Sequence, residues 1–133
     1  MYWKGTIILP DKLRLILSGI LMFLFCGCQN NTPVAGPYPM LGIASWYVAD
    51  RTATGEKFNE YDPTCAMRKR GFGRLYKVCN VSNNKCVIVR HNNFGPSKEK
   101  FDEGRIIDLS KSAFSRIADL KDGLVRVSVE EIP

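Results

Sequence analysis

The chain has 133 residues, enough for one folded domain, and its 45% hydrophobic and 24% charged residues exclude a globally disordered protein. Its 19 lysines and arginines outnumber the 13 acidic residues, and so modest an excess favours anionic partners without specifying one. No nucleic-acid-binding motif accompanies the basic residues, so we predict no nucleic-acid partner.

The beginning of the chain has the pattern of an export signal. Lys4 and Lys12 precede an apolar run from Leu15 to Phe25, which is about 11 residues long and too short to span a bilayer comfortably. The sequence FCGC at 25–28 resembles the bacterial lipobox, in which a small residue precedes the cysteine that is acylated. We therefore predict a lipoprotein signal over residues 1–28 and a membrane anchor through lipid on Cys28, with cleavage of an unlipidated signal as the alternative.

Residues 29–40, QNNTPVAGPYPM, are predicted to form a tether, because they contain three prolines and no apolar periodicity. The residue after the predicted lipid site is Gln29 rather than an aspartate. In this respect the sequence resembles outer-membrane lipoproteins more closely than inner-membrane ones. We expect a protein of the bacterial cell envelope, facing the periplasm if the cell has an outer membrane. The folded domain is predicted over residues 41–133.

Within that domain, short apolar segments alternate with turn-forming residues. Period-two alternation is clearest in β-type sequence such as LVRVSV at 124–129, where Val125, Val127 and Val129 share one face. Helical spacing in KSAFSRIADL predicts one helix, with Ser110 as its N-cap and Gly123 as its stop. The segments are too short and too interrupted for a doubly wound parallel sheet, so we predict a small β-barrel with one or two short helices.

Three cysteines lie in the predicted domain, and export would place them in an oxidising compartment: Cys65, Cys79 and Cys86. If Asn83 and Asn84 form a two-residue hairpin loop, Cys79 lies opposite Ile88, two positions beyond Cys86. A Cys79–Cys86 bridge then needs a longer loop or a bulge. Whether this bridge forms stays open, and one of the three cysteines is left over whichever pair forms.

Four segments in order resemble motifs of the rare lipoprotein A (RlpA) domain: GIASWY at 42–47, TATGEKF at 52–58, NNFGP at 92–96 and RIIDLSKSAF at 105–114. The resemblance implies a mainly β fold, the six-stranded double-psi β-barrel. It also implies a cell-wall protein that acts on peptidoglycan glycan strands lacking stem peptides. Many family members carry a further peptidoglycan-binding repeat domain, which we do not expect here because the predicted barrel runs almost to Pro133.

Two family site residues are replaced in this sequence. The stretch matching HNNFGP usually reads N-D-R-G-P, so Asn93 stands at the position of a catalytic carboxylate and Phe94 at that of an arginine. Met67 stands where the family segment T-A-A-H has a histidine. An amide cannot donate a proton as an acid does, and a thioether neither donates nor titrates near neutral pH.

Two titratable residues stay candidates for the chemistry. Asp108 matches a family carboxylate that lies in the polysaccharide groove, although it is also placed to accept hydrogen bonds at the start of the following helix. His91, the only histidine, would share a strand face with Asn93 and is a possible substitute acid or base. The alternative for His91 is a packed structural side chain.

Aromatic and polar residues supply the predicted glycan contacts. Trp46 and Tyr47 match the family's S-W-Y pattern, and strand alternation sends one of them to the groove and the other to the core. Thr52 and Glu56 keep the family pattern and are weaker groove candidates. Asn92, like Asn93, offers an amide to sugar hydroxyls.

Two functions are therefore weighed. The first is an endolytic lytic transglycosylase, a carbon–oxygen lyase acting on peptidoglycan, with Asp108 as the main acid and base. The second is a glycan-binding or wall-loosening, expansin-like module that breaks no bond. Family resemblance favours the first, whereas the replaced site residues favour the second. The sequence predicts no cofactor and no metal site, because its single histidine stands alone and its cysteines lack paired zinc spacings.

Overall fold

The computed structural model describes residues 39–133. The predicted signal, the lipid site Cys28 and nearly all of the tether lie outside the described residues. Six strands are present: β1 (Met40–Trp46), β2 (Thr64–Ala66), β3 (Leu75–Asn80), β4 (Cys86–Asn93), β5 (Arg105–Leu109) and β6 (Leu124–Ile132). Two α-helices, α1 (Lys98–Asp102) and α2 (Lys111–Ser115), and a 3-10 helix (Leu120–Asp122) complete the fold. None of these helices is long and apolar enough to cross a membrane.

The strands close into a barrel in the order β1-β5-β2-β4-β3-β6. The pairs β1–β5 and β2–β4 are parallel, and the other neighbours are antiparallel. This arrangement confirms the predicted mainly β, six-stranded barrel with short helices. The three-residue strand β2 lies between β4 and β5, so that residues of those two longer strands approach each other across it.

The inner faces of the strands and one side of α2 form the hydrophobic core. On β6, Val127 and Val129 are buried while Leu124 and Arg126 are exposed, as the alternation predicted. Side chains of β3, β4, β5 and the α2 region fill the remaining interior: Tyr76, Val78, Val87, Val89, Ile107, Leu109, Phe114 and Ile117. Each large buried side chain stabilises the fold by roughly 1.5–3 kcal/mol relative to an exposed position.

The helix after β5 begins as predicted but ends early. The side-chain oxygen of Ser110 accepts a hydrogen bond from the backbone N–H of Ala113, which confirms the N-cap. The continuous helix expected to run to Leu120 is wrong, because α2 stops at Ser115. Asn80 and Asn83 donate side-chain hydrogen bonds to the carbonyl oxygen of Ile117 at 2.9 and 3.0 Å, and these bonds hold the chain in a tighter turn.

The β3–β4 hairpin corrects the predicted cysteine register. Cys79 lies directly opposite Cys86 rather than opposite Ile88, and the two form a disulfide. A five-residue connection, residues 81–85, replaces the expected two-residue loop. Side-chain oxygens of Asn80 and Asn83 accept hydrogen bonds from backbone N–H groups two residues further on, at 2.8 and 2.9 Å, and these local turns lengthen the loop.

Candidate active site

A row of four residues on neighbouring strands forms the floor of the candidate site. Ser45 pairs with Asp108, Asp108 pairs with Ala66, and Ala66 pairs with Asn93. Because adjacent strands lie about 4.8 Å apart, the backbones of Asp108 and Asn93 are separated by about 10 Å. The small side chain of Ala66 stands between them, and Gly95 packs against it: a Cβ added to Gly95 would lie 3.2 Å from Cβ of Ala66.

Asp108 is held by one of its two carboxylate oxygens. Its Oδ1 accepts hydrogen bonds from Oγ of Ser45 at 2.5 Å and from Nε of Arg105 at 2.8 Å. No donor in residues 39–133 bonds to Oδ2, and a Cβ added to Gly95 would stand only 3.0 Å from that oxygen. The residue keeps 7% of its surface exposed. Oδ2 is therefore the carboxylate oxygen that the described residues leave without a hydrogen-bond donor.

Asn93 is fixed by hydrogen bonds to its side chain. Its Oδ1 accepts from the backbone N–H groups of Ala53 and Phe94, each at 2.9 Å. Its Nδ2 donates to the hydroxyl oxygen of Tyr47 over 3.4 Å. The two N–H donors define which side of the amide faces the loop. Asn93, which the family resemblance predicts to stand at the position of an acid, thus ties the segment around Ala53 to the barrel.

Trp46 and Tyr47 face opposite ways. Trp46 packs against the core, and its Nε1–H donates to the carbonyl oxygen of Leu120 at 3.0 Å. Tyr47 lies beside Asn93, to which it is hydrogen-bonded, with its ring centroid 4.9 Å from that of Phe58. Burial is the main cause that raises the pKa of Tyr47, and the charge of Asp108 adds to it, while the bond from Asn93 lowers it. The phenol is therefore protonated at neutral pH and can donate a hydrogen bond.

The structure places Met67 and His91 in the interior. Met67 is 1% exposed, and only its backbone N–H approaches the site, where it donates to the carbonyl oxygen of Asn93 at 3.1 Å. His91 is fully buried, and its Nε2 bonds to the same carbonyl oxygen at 3.0 Å. Its ring lies 5.0 Å from that of Phe72. Both side chains are therefore buried rather than exposed at the candidate site.

The remaining predicted residues support the loop that holds Asn93. Glu56 accepts two hydrogen bonds from Arg90, at 2.9 and 2.8 Å, and one from Nδ2 of Asn92 at 3.2 Å. The hydrogen bonds from Arg90 contribute most to lowering the pKa of Glu56 to about 2, and the bond from Asn92 adds to the effect. Glu56 therefore stays ionised at neutral pH and is no proton donor. The hydroxyl of Thr52 is 2.8 Å from that of Thr54 within the same loop. No group of residues in the described part of the chain is arranged to hold a metal ion.

Three contributors to the site were not predicted: Ser45, Gly95 and Arg105. Arg105 lies three residues before Asp108 on one strand, a spacing that places side chains on opposite faces of a regular strand. The register of β1 against β5 shifts between Ile43 and Ala44, and sequence alone gives no sign of that irregularity. Only the glycine at position 95 carried a local signal, as part of the Gly-Pro pair after the asparagines.

Solved structures define the class to which this fold belongs. The chain is similar to the Streptomyces papain inhibitor, with a TM-score of 0.60 at 21% identity, over 74% of this chain and 99% of that one. It is also similar to an apo expansin of Clavibacter michiganensis, with a TM-score of 0.52 at 17% identity, over 71% and 50% of the two chains. The closed six-stranded barrel is that of the double-psi β-barrel proteins.

The sequence relatives are more specific. A family model described as lytic transglycolase matches residues 40–129. The chain is 42% identical over 93 residues to a probable endolytic peptidoglycan transglycosylase RlpA of Synechocystis, a match that covers 67% of this chain and 28% of the relative. It is 38% identical over 102 residues to the endolytic peptidoglycan transglycosylase RlpA of Pseudomonas aeruginosa, covering 74% and 29%.

A third relative extends the match along the chain. The probable endolytic peptidoglycan transglycosylase RlpA of Aquifex aeolicus is 33% identical over 127 residues, covering 90% of this chain and 54% of the relative. The protein belongs to the RlpA family of lytic transglycosylase domains. Its match spans less than a third of the length of the Synechocystis and Pseudomonas relatives.

Proposed function

We propose that this protein is an endolytic peptidoglycan lytic transglycosylase whose acid and base is Asp108. The observation that carries the proposal is the arrangement of that carboxylate. Its Oδ1 is held by Ser45 and Arg105, while its Oδ2 has no donor within residues 39–133 and borders Gly95. Family membership supplies the class of substrate, a glycan strand of peptidoglycan.

The proposed reaction needs one carboxyl group and no water. Oδ2 of Asp108 gives its proton to the glycosidic oxygen as the bond from that oxygen to the anomeric carbon breaks. The C6 hydroxyl of the same sugar then bonds to the anomeric carbon and returns its proton to Oδ2. The products are a strand with a 1,6-anhydro end and a strand with a free hydroxyl, so the carboxyl group finishes as it began.

Tyr47 is proposed to bind the glycan beside that carboxylate. Its oxygen accepts the hydrogen bond from Asn93, which leaves the phenolic hydrogen free to donate to a sugar hydroxyl. The raised pKa of Tyr47 keeps that hydrogen in place at neutral pH. Trp46, which packs against the core, is proposed to support Tyr47 rather than to contact the glycan itself.

A glycan-binding module without cleavage is the second candidate, and one observation favours it. Both polar atoms of the Asn93 side chain are occupied by protein partners, and neither can act as an acid. Loss of a positioned acid or base typically costs a factor of about 100 or more in rate. In this case the groove would still bind the strand through Tyr47 and Asp108.

The site of action is proposed to be the cell envelope. The lipobox-like sequence before Cys28 supports anchoring by a lipid on that cysteine, and residues 29–40 would serve as the tether between membrane and barrel. The relatives' names, which specify peptidoglycan as the material acted on, support the same location. Peptidoglycan is then the partner that the groove meets.

The test is to incubate the purified protein with amidase-treated glycan strands and to measure 1,6-anhydro products by mass spectrometry. We expect products from the wild type and none from Asp108→Asn. Asp122→Asn, which removes the same charge from an exposed residue of the 3-10 helix, should cleave normally. If the wild type yields no anhydro ends but sediments with the strands, the binding module is the correct function.

A further inference from the structure

A recess at the start of the first strand has no role in the reaction described above. It has a volume of about 330 Å³ and is lined mainly by apolar side chains. Strands β1, β5 and β6 and the β3–β4 loop contribute Leu41, Ile43, Val81, Ile106 and Arg126 to it. Ile106 packs directly over Gly42, since a Cβ on that glycine would stand 2.7 Å from Cγ2 of Ile106. We call this feature the apolar recess.

Two apolar side chains of the recess are exposed instead of packing into the core. Leu41 is 70% exposed and Val81 is 53% exposed. The backbone N–H of Val81 donates to the carbonyl oxygen of Arg126 at 3.0 Å, and Arg126 is paired with Ile43 of β1. These residues therefore form one continuous surface. Neighbouring apolar side chains that are left in water are typical of a surface that another body covers.

Arg126 adds an uncompensated positive charge to this surface. Its side chain is exposed, and no carboxylate of residues 39–133 forms an ion pair with it. The aliphatic part of an arginine side chain packs on apolar groups while its guanidinium stays in a polar layer. A guanidinium also binds two oxygens of a phosphate at once. Apolar side chains around such a group match the boundary between the acyl chains and the phosphates of a lipid layer.

The position of the recess along the chain favours the same partner. The tether proposed over residues 29–40 leads directly to Leu41, and lipid on Cys28 would hold the other end of that tether in the membrane. A flexible chain of about a dozen residues has an end-to-end distance of roughly 20 Å. The recess is then held close to the bilayer at a high effective concentration, so that a weak docking surface is sufficient.

We propose that the apolar recess is a docking surface for the phospholipid bilayer, with Leu41 and Val81 inserted among the headgroups and Arg126 on a lipid phosphate. The inference rests on the proposed lipid anchor, which brings the recess to the membrane. Docking gives the barrel one orientation at the membrane surface, whereas the tether alone would leave it free to turn.

The experiment identifies what lies against Val81. The photocrosslinking residue p-benzoylphenylalanine is placed at Val81 or, as a control, at the exposed Tyr61, whose carbonyl oxygen accepts a hydrogen bond from Ser112 beyond the opposite end of β5. Residues 29–133 contain the tether and the closed barrel with its core. A histidine tag before Gln29 attaches them to phosphatidylglycerol vesicles through a nickel-chelating lipid. After irradiation, mass spectrometry identifies the crosslinked partner.

We expect lipid adducts at Val81 and few at Tyr61. The adduct yield at Val81 then gives the ratio of docked to undocked protein. Leu41→Asp should lower this ratio by about tenfold or more, because the burial of a leucine side chain is lost. Val48→Asp is the matched control, since Val48 is 59% exposed but does not line the recess, and it should leave the ratio unchanged.

A second pair of variants tests the charge. Arg126→Gln should lower the ratio about fivefold on these anionic vesicles, the effect of one basic residue near an anionic lipid surface. Arg70→Gln is the matched control, because Arg70 is exposed and lies outside the recess. An equal effect of the two substitutions would contradict a specific role of Arg126 and overturn the proposed contact with phosphate.

Three results would overturn the docking surface as a whole. They are equal lipid adducts at Val81 and Tyr61, adducts at Val81 mainly with a second copy of the chain, or adducts mainly with residues 29–38 of the same chain. The second result would make the recess a contact between copies, and the third would make it a site for the tether.

The lipid anchor is tested separately, by incorporation of labelled palmitate into the full-length chain and its loss in Cys28→Ser. Lipid adducts on the tagged vesicles without palmitate incorporation refute the anchor and support the docking surface. Palmitate incorporation without lipid adducts at Val81 refutes the docking surface alone.

Discussion

Oγ of Ser45 donates a hydrogen bond to Oδ1 of Asp108 at 2.5 Å, across the parallel pair of strands β1 and β5. Together with Arg105, this bond occupies Oδ1 and leaves Oδ2 without a donor in the described residues. Ser45 and Asp108 are buried, at 3% and 7% exposure, so water cannot readily replace the serine hydroxyl. The orientation of the proposed acid thus depends on a serine in a neighbouring strand.

Replacing Ser45 by alanine should reduce both stability and cleavage. The buried carboxylate loses one of two donors, which costs about 1–3 kcal/mol in the free energy of unfolding. We expect cleavage to fall about tenfold, because Asp108 can rotate away from its productive orientation. Urea unfolding and anhydro-product release measure the two effects, and Ser82→Ala on the exposed β3–β4 loop is the control. Unchanged cleavage by Ser45→Ala would show that Arg105 alone orients the carboxylate.

Gly95→Ala should block the site while leaving the barrel folded. The new Cβ would lie 3.0 Å from Oδ2 of Asp108 and 3.2 Å from Cβ of Ala66, so it must displace the carboxylate. We expect cleavage to fall by about a hundredfold or more, as for loss of a positioned acid. Gly123→Ala is the control: its φ of 66° makes alanine costly by roughly 1–2 kcal/mol, but nothing lies within 4 Å of the new Cβ. Full cleavage by Gly95→Ala would place the reacting carboxylate elsewhere.

Asn93→Asp should increase cleavage, since the site is already built to hold a carboxylate. One oxygen would accept from the N–H groups of Ala53 and Phe94, and the other would face the hydroxyl of Tyr47, which can donate to it. We expect a rise of about tenfold or more in the rate of anhydro-product formation. Asn92→Asp is the matched control, because it places a carboxylate against Glu56 and should lower stability without raising the rate. A rate unaffected by Asn93→Asp would show that this position takes no part in the chemistry.

The Glu56–Arg90 pair should make part of the stability dependent on pH. The pKa of Glu56 is lowered from 4.5 to about 2, chiefly by its hydrogen bonds from Arg90. Because the pKa of Glu56 is lower in the folded than in the unfolded chain, its ionised form adds to the free energy of unfolding above about pH 4.5. This contribution is lost as the pH falls towards 2. The melting temperature of Glu56→Gln should therefore lie slightly below that of the wild type at pH 7 and converge with it near pH 2. The pair is exposed, so added salt should also reduce the difference. Glu130→Gln, which removes a charge from an exposed position on β6, should show no such convergence.

The disulfide should stabilise the barrel without affecting the groove. Cys79 and Cys86 are seven positions apart, and closing so short a loop in the unfolded chain is worth about 2.5 kcal/mol by loop entropy. We expect Cys79→Ala/Cys86→Ala to unfold at lower urea concentration and to cleave normally below its unfolding transition. Reductant should lower the stability of the wild type by a similar amount and leave that of the double variant unchanged. Equal stability of the wild type and the double variant would refute the loop-entropy account.

Local signals in the sequence predicted parts of the fold and of the site. Ser110 as an N-cap and the alternation around Val127 depend only on neighbouring residues, and both are confirmed. The hairpin register failed because side chains of Asn80 and Asn83 bond to the backbone of the same loop and lengthen it. Sequence spacing does not show whether an asparagine makes such a bond or faces solvent.

The site itself depends on contacts between distant residues. Asp108 was recognisable from its motif, but the partners of its Oδ1 were not. Ser45 is 63 residues away in the sequence, and Arg105 reaches the carboxylate from a position three residues earlier on the same strand. Burial of His91 was equally hidden, since it results from the closing of β4 against β3 and the loop that carries Phe72.

The first and last strands of the barrel are antiparallel neighbours, and Met40 at the start of β1 pairs with Val129 near the end of β6. The two ends of the fold therefore meet at one place on its surface. A short linker from Ile132 to Met40 would permit circular permutation, because no buried segment has to move to join them. Because the two ends are close together, the barrel could also be inserted as a domain into one surface loop of a longer polypeptide.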